Sequence, residues 1–312
     1  LKIPSAVVQH GVPRVSFGFA PLEADWFLAW GETSRQQVVR FGYPANRVAV
    51  TGSPRHDLLA LAPRWRPRRP GQLPEVLLFA TTPPHDARPE PQRFGLTSAE
   101  HDRLVRMTAA AVAALGGRLT IKTHPRAAGH AARLSQLLGE IPGLEHNIVS
   151  DGELADLCRM ATCAVSLASG AGIDAVALGV PVIDLVPRNA VDLMPAAEWG
   201  TWGTATSPDQ LRRLLELAGA AGCPPAEPPP DALSRGLSRV FAHWGHAAGA
   251  VADAALSLSM GEHPTGSATL HIPRSHIAPS APARSIPTSG TAPDRASSQG
   301  LEQTPRGLQH RG

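Results

Sequence analysis

The sequence predicts an α/β fold: a parallel sheet with helices on both faces. Three observations carry that reading. Short β-branched runs of strand length recur along the chain with amphipathic segments between them. The segments between them open and close with helix signals. The chain, at 312 residues and 43% hydrophobic, can bury a sizeable core in one large domain or one and a half. Strands that alternate with helices pair in parallel, because the crossover returns the chain to the same end of the sheet.

Taken in order, AVVQHG (6–11) is the first strand-like run. RVAVTG (47–52), EVLLFATT (75–82), RLTIKTH (118–124), HNIVS (146–150), CAVSLAS (163–169) and VPVIDLV (180–186) follow it. Thr33 with Gln36 makes a capping-box pattern ahead of RQQVVRF, and Gly42 and Pro44 stop that helix. Ser207, Pro208 and Gln210 open another, whose Leu211, Leu214, Leu215 and Ala218 share one face. Leu233, Leu237, Val240, Phe241 and Trp244 stand at helical spacing and predict a last helix over roughly 231–257, packed against the domain.

The stretch 60–74 is rich in Pro and Arg and separates two αβ groups, so it reads as a linker. This gives a unit at 1–60, a linker at 61–74, a larger unit at 75–258 and a tail at 259–312. Residues 261–312 contain seven prolines, seven serines and no Phe, Trp or Tyr. With no apolar periodicity they cannot offset the entropy of ordering, and a disordered tail is expected.

Composition excludes several classes. No apolar run reaches the roughly 18–20 residues that cross a bilayer, and no secretory signal pattern opens the chain, so a cytoplasmic protein is expected. Cys158, Cys163 and Cys223 are odd in number and lack CxxC spacing, which argues against a disulfide framework or structural zinc and for core filling. The net charge is only +3, and the arginines are scattered or gathered in RWRPRR (64–69) with few aromatics to stack bases. Nucleic acid is therefore not an expected partner. Leu1 starts the sequence without an initiator methionine and close to a strand-like run, which leads to the expectation of the back portion of a longer protein.

In an open parallel sheet, ligands bind outside the carboxyl ends of the strands. Those ends carry Gln9, His10 and Gly11; Gly52 to Arg55; Thr81 and Thr82; His124 to Arg126; and Ser169 to Gly172. Small, hydroxylated and basic residues recur there, a combination suited to an anion. SLASGAGIDAVALGVPVIDL (166–185) is the strongest element. A strand ends at Ser169, Gly170 and Gly172 allow a backbone to approach a ligand, and Asp174 lies one turn into the helix, where it could accept from ribose hydroxyls or complement the helix dipole. His124 stands at a neighbouring strand end, where Pro125 turns the chain, and is a candidate phosphate donor or acid–base group.

VVQHGV, ADWFLAWGETSRQQVVRFGYPANRVAVTGSPRHD, LLFATT, IKTHPR and SGAGIDAVALGVPVIDL come in the order found in bacterial surface-polysaccharide enzymes of the GT-B fold. Over residues 5 to about 190 the chain resembles the CDP-glycerol glycerophosphotransferases, the polysialyltransferase-like enzymes and the UDP-N-acetylglucosamine 2-epimerases. The resemblance implies a Rossmann-like C-terminal GT-B domain with a remnant of the N-terminal domain before it. It implies a nucleotide-activated donor as substrate, a UDP-sugar, CMP-sugar or CDP-glycerol, with no separate cofactor; no metal is expected, because no carboxylate pair resembling a metal-binding DxD stands near the site. Thr81, Thr82, His124, Arg126, Ser169, Gly170, Gly172 and Asp174 would bind the nucleotide, and His10 and His124 would be the catalytic candidates. The family turn usually ends in Glu, so Asp174 is a departure.

The activity implied is transfer of a glycosyl or glycerophosphoryl group to a polysaccharide or polyol-phosphate acceptor, with peripheral association at the inner membrane face. A hexosamine 2-epimerase, or a nucleotide-binding module without turnover, is the alternative expectation.

Overall fold

Two parallel sheets follow one another along the chain. The computed structural model describes residues 3–13, 19, 21–62, 65, 73–81, 96–124, 129–167, 169–187, 202–221 and 237–264. All of these lie in a compact unit, Leu1–Leu270. The expected disordered tail lies outside the described residues from 265 onward.

The first sheet has the order β1-β2-β3, with β1 at Ala6–Val8, β2 at Trp26–Ala29 and β3 at Val48–Val50. All four β2 residues are buried because the sheet is covered on both faces. Phe27 and Ala29 pack with Val38 of α1 (Glu32–Arg40) and with Tyr43, whereas Trp26 and Leu28 pack with Ala254 and Leu258 of the last helix, α8 (Ala247–Ser259).

The second sheet has six strands: β4 (Glu75–Ala80), β5 (Arg118–Lys122), β6 (Glu145–Val149), β7 (Cys163–Leu167), β8 (Val182–Leu185) and β9 (Gly203–Ala205), in the order β6-β5-β4-β7-β8-β9. Every pairing is parallel. Counted by chain order within the sheet this is 3-2-1-4-5-6, the doubly wound arrangement. Val76, Leu78, Ile121 and Val165 face α3 (Ser98–Ala114), α4 (His130–Gly139) and α7 (Pro208–Ala221). Leu77, Phe79, Ala164 and Val182 face the other way, onto α5 (Leu154–Met160) and α6 (Ala171–Ala177). Each fully buried Leu, Val or Phe contributes roughly 1.5–3 kcal/mol, so these two layers supply most of the stability. Cys158 and Cys163 fill the core, and burial pushes both thiols up to about 12.

Three expectations need correction. The α1 helix does not start at a Thr33 cap: its N-cap is Gly31, and Thr33 lies buried in the first turn. The carbonyls of Arg239 and Val240 cross at Gly31, where a Cβ would sit 2.3 Å from the Arg239 oxygen, so no Ser or Thr could cap there. The last helix is not continuous either. After a helical stretch at 237–240 the chain turns through His243 (φ 50) and Gly245 (φ 80), and α8 then begins at Ala247. Asp57, the first residue of α2 (Asp57–Leu61), causes this restart, since its carboxylate accepts from the Ala247 and Ala248 N–H groups at 3.0 and 2.9 Å. Leu233 lies outside the described residues. Finally, β2 and β9 were not among the expected strands.

Within the stretch read as a linker, Trp65 is held by the second sheet's helices: it donates its indole N–H to Ala161 O, after α5, and its backbone N–H to Leu178 O, after α6. α8, grouped by sequence with 75–258, packs on the first sheet, and the 237–264 segment therefore crosses back. Its end includes His263, whose ring lies 5.5 Å from Trp26.

Candidate functional site

β4 and β7 are neighbours in the second sheet, yet their following helices leave for opposite faces: α3 lies on one and α6 on the other. That divergence opens a crevice at the carboxyl ends of β4 and β7, the switch point of a doubly wound sheet. Thr81 closes the bottom of it, donating from Oγ1 to Leu167 O at 2.6 Å and so tying the two strand ends together.

Ser169 and Gly170 form the β7 side. The Ser169 backbone N–H donates to Ser166 Oγ at 3.4 Å, and its own Oγ accepts from Ala171 N–H at 3.3 Å. Gly172 is explained by packing, because a Cβ there would lie 2.6 Å from Ser166 Oγ. Gly170 is different. Its φ of −61 suits any residue, it is exposed, and a Cβ would meet nothing within 4 Å among the described residues. Neither its conformation nor packing against the described residues demands glycine at 170.

His124 is exposed at the end of β5, next to β4 in the sheet. Lys122 pairs with Phe79, so His124 stands level with Thr81. Thr82, Arg126 and Pro125 lie outside the described residues. His10 is exposed at the carboxyl edge of the first sheet, its ring stacked on Phe19 at 5.5 Å. Beside it Gln9 is buried, accepting from the Trp30 backbone N–H at 2.8 Å and donating to Ser34 Oγ at 3.0 Å, which joins β1 and β2.

Asp174 is buried, and both of its oxygens are engaged by the first sheet's edge. Arg55 Nη2 donates to Oδ2 at 2.6 Å, and His56 Nε2 lies 2.6 Å from Oδ1. His56 is fixed in turn by Ser53 Oγ at 2.6 Å from Nδ1 and by Trp30 and Phe241, whose rings lie 4.9 and 4.4 Å away. Trp30, Ile173, Ala177, Val240 and Phe241 form an apolar cluster around this joint. The carboxyl edges of both sheets therefore face a common region. Asp174, taken from sequence as a ribose acceptor, has its carboxylate turned to the joint. Sequence reasoning placed Arg55 at a strand end but missed His56, since a pairing across 118 residues leaves no local signal.

A second buried polar group stands on the far side of β4. His101 and His130, in the first turns of α3 and α4, are buried with ring centroids 5.2 Å apart. His101 Nδ1 lies 3.2 Å from Asp102, whose other oxygen holds Arg133 at 2.7 Å. Among the described residues neither nitrogen of His130 finds a hydrogen-bond partner. Burial drives His101 below the usual imidazole range against the pull of Asp102. Burial, with His101 and Arg133 beside it, lowers His130 to about 4. Among the described residues no group of three or more His, Cys, Asp and Glu is arranged to hold a metal ion, and no helix is long and apolar enough to cross a membrane.

Parallel α/β sheets, the larger one doubly wound, define the class of protein in which ligands sit outside the carboxyl ends of the strands. No protein-family model matches the sequence, and no curated protein matches it. Solved structures do resemble it. The fold is similar to the S. aureus MnaA-UDP co-structure, at 14% identity over 83% of this chain and 68% of that one, with a TM-score of 0.48. A putative UDP-N-acetylglucosamine 2-epimerase from Listeria monocytogenes is similar at 15% identity, over 83% and 69% of the two chains, with a TM-score of 0.49. The wall teichoic acid polymerase TagF is similar at 15% identity, over 76% of this chain and 59% of TagF, with a TM-score of 0.39. At these identities the likeness concerns the fold.

Proposed function

We propose that the chain binds the nucleotide diphosphate of an activated sugar or polyol and serves transfer of its glycosyl or glycerophosphoryl group to a surface-polysaccharide or polyol-phosphate acceptor. The observation that carries this reading is the coincidence, at the β4/β7 switch point, of Thr81, Ser169 and the unexplained Gly170, with His124 one strand away. Hydroxyls, an imidazole and a bare Cα suit an oxyanion that must come close to the backbone. The order of motifs shared with the GT-B surface-polysaccharide enzymes supports the same ligand class.

In this reading the phosphates lie over Gly170, hydrogen-bonded by Ser169 and His124; the leaving group stabilised there is the nucleoside diphosphate when a sugar's carbon–oxygen bond breaks in glycosyl transfer, and the nucleoside monophosphate when the bond to the glycerophosphoryl phosphorus breaks. His10, exposed at the opposite sheet's edge, is the candidate base that takes the acceptor hydroxyl's proton. The test is calorimetry with UDP and CDP, beside a product assay with activated sugar and glycerol donors. Binding of either nucleotide, weakened about tenfold or more in His124→Ala, is expected, because a charge-assisted hydrogen bond contributes roughly 1.5–3 kcal/mol. Absence of binding by both nucleotides contradicts the reading. Interconversion of a UDP-hexosamine with its 2-epimer, without transfer, would favour the epimerase instead.

A further inference from the structure

Arg55 holds Asp174 differently from His56. The His56 side chain is 1% exposed and enclosed on every side described, whereas that of Arg55 is 55% exposed. A guanidinium carries five N–H donors in a planar fork. One contact, Nη2 to Asp174 Oδ2, is its hydrogen bond among the described residues. The group is nevertheless held in place, by the carboxylate and by the ring of Trp30, 5.9 Å from the guanidinium carbon and itself buried. An arginine kept solely to fasten two sheets would not need to be half exposed, and His56 already fastens Asp174 from within.

The place where its other donors stand gives them a use. Residues 170 and 174 are four apart at the start of α6, so they share a face, with Cβ positions about 5–6 Å apart. The open space over Gly170 therefore adjoins the Asp174 carboxylate and the guanidinium on it. A planar fork oriented by a carboxylate on one edge, with no other hydrogen-bond partner among the described residues, matches the paired oxygens of a phosphate.

We propose that Arg55 is the first sheet's contribution to anion binding at the switch point: it grips a phosphate of the nucleotide over Gly170 while Asp174 orients it. This inference rests on the nucleotide reading above and goes beyond it, since it makes the phosphate a bridge between the two sheets. Arg55 is then a binding residue for phosphate-bearing ligands and a determinant of how tightly the two carboxyl edges are held when one is bound.

The test is calorimetry of UDP with the full chain as wild type, Arg55→Ala and Arg55→Lys, each checked by thermal melting. Arg55→Ala is expected to weaken UDP about tenfold or more, and Arg55→Lys, which keeps the charge and the ion pair but loses the fork, by a smaller factor. Adding millimolar guanidinium ion to Arg55→Ala should restore part of the affinity, a rescue that a merely structural role would not produce. Equal UDP affinity in wild type and Arg55→Ala overturns the inference and leaves the proposed function standing. Should Arg55→Ala fail to fold, wild-type affinity in Arg55→Lys overturns it in the same way. No UDP or CDP binding by the wild type retires the proposed function itself.

Discussion

Acid should weaken this fold through His130. The imidazole is 4% exposed, its nitrogens have no hydrogen-bond partner among the described residues, and its folded pKa of about 4 compares with 6.5 when unfolded. A base whose folded pKa is depressed binds fewer protons in the native state than in the unfolded chain. Its contribution is therefore fully present above pH 6.5 and is lost as pH falls through the window down to about 4. At pH 5 the linkage amounts to roughly 2 kcal/mol, at about 1.4 kcal/mol per decade, a sizeable part of a typical domain's stability. Urea unfolding of wild type and His130→Leu at pH 7, 6 and 5 isolates this contribution, because other titrating groups cancel between the two proteins. The wild type should lose about 2 kcal/mol more than His130→Leu between pH 7 and pH 5, with His130→Gln as a second non-titrating comparison. An identical pH dependence in all three proteins would refute the reasoning and point to a His130 that reaches solvent.

Other outcomes follow from the same contacts. Asp174→Ala should destabilise by about 2–4 kcal/mol in denaturant titration, because it strands the buried His56, whereas Arg55→Ala should cost about 1 kcal/mol or less, since its partner keeps His56 and its own charge is half in water. Asp57→Ala, which removes the acceptor for the Ala247 and Ala248 N–H groups, should cost about 1 kcal/mol and lower helical protection at Ala247–Gly249 in hydrogen exchange. Native protein carrying Cys223→Ser should not react with a thiol reagent at pH 8, given the burial and high pKa of Cys158 and Cys163. Deleting 265–312 should leave the melting temperature unchanged, while deleting from 261 should lower it through loss of His263 against Trp26.

The second sheet was legible because its strands carry a local signal. VLLF, TIK and AVSL are apolar enough to be read one at a time, and the turns that follow them mark the carboxyl edge. β2 was harder: WFLA is buried on both faces and gives no alternation to separate strand from helix. Three-residue β9 is too short for any period. The last helix was misread because Leu237, Val240, Phe241 and Trp244 do share a face, but they pack into the joint around Trp30, and the turn at His243 and Gly245 is dictated by Asp57 far upstream. At the candidate site, Thr81, His124 and Ser169 stand at the strand ends where the sequence puts them. The partners of Asp174 were not legible, because pairing between the two sheets depends on how the chain folds back, which no local pattern encodes.

Gly170 offers the most direct test of the claim that a nucleotide binds at the β4/β7 switch point. Its φ of −61 accommodates any L-residue, and a Cβ there meets nothing within 4 Å among the described residues, so Gly170→Leu should fold as the wild type does and add its side chain to the space assigned to the phosphates. Calorimetry with UDP and CDP on this variant should show binding lost or weakened at least a hundredfold, with the melting temperature kept within a few degrees of wild type. Wild-type nucleotide affinity in a folded Gly170→Leu protein would contradict the account, because that space would then be empty when the ligand is bound.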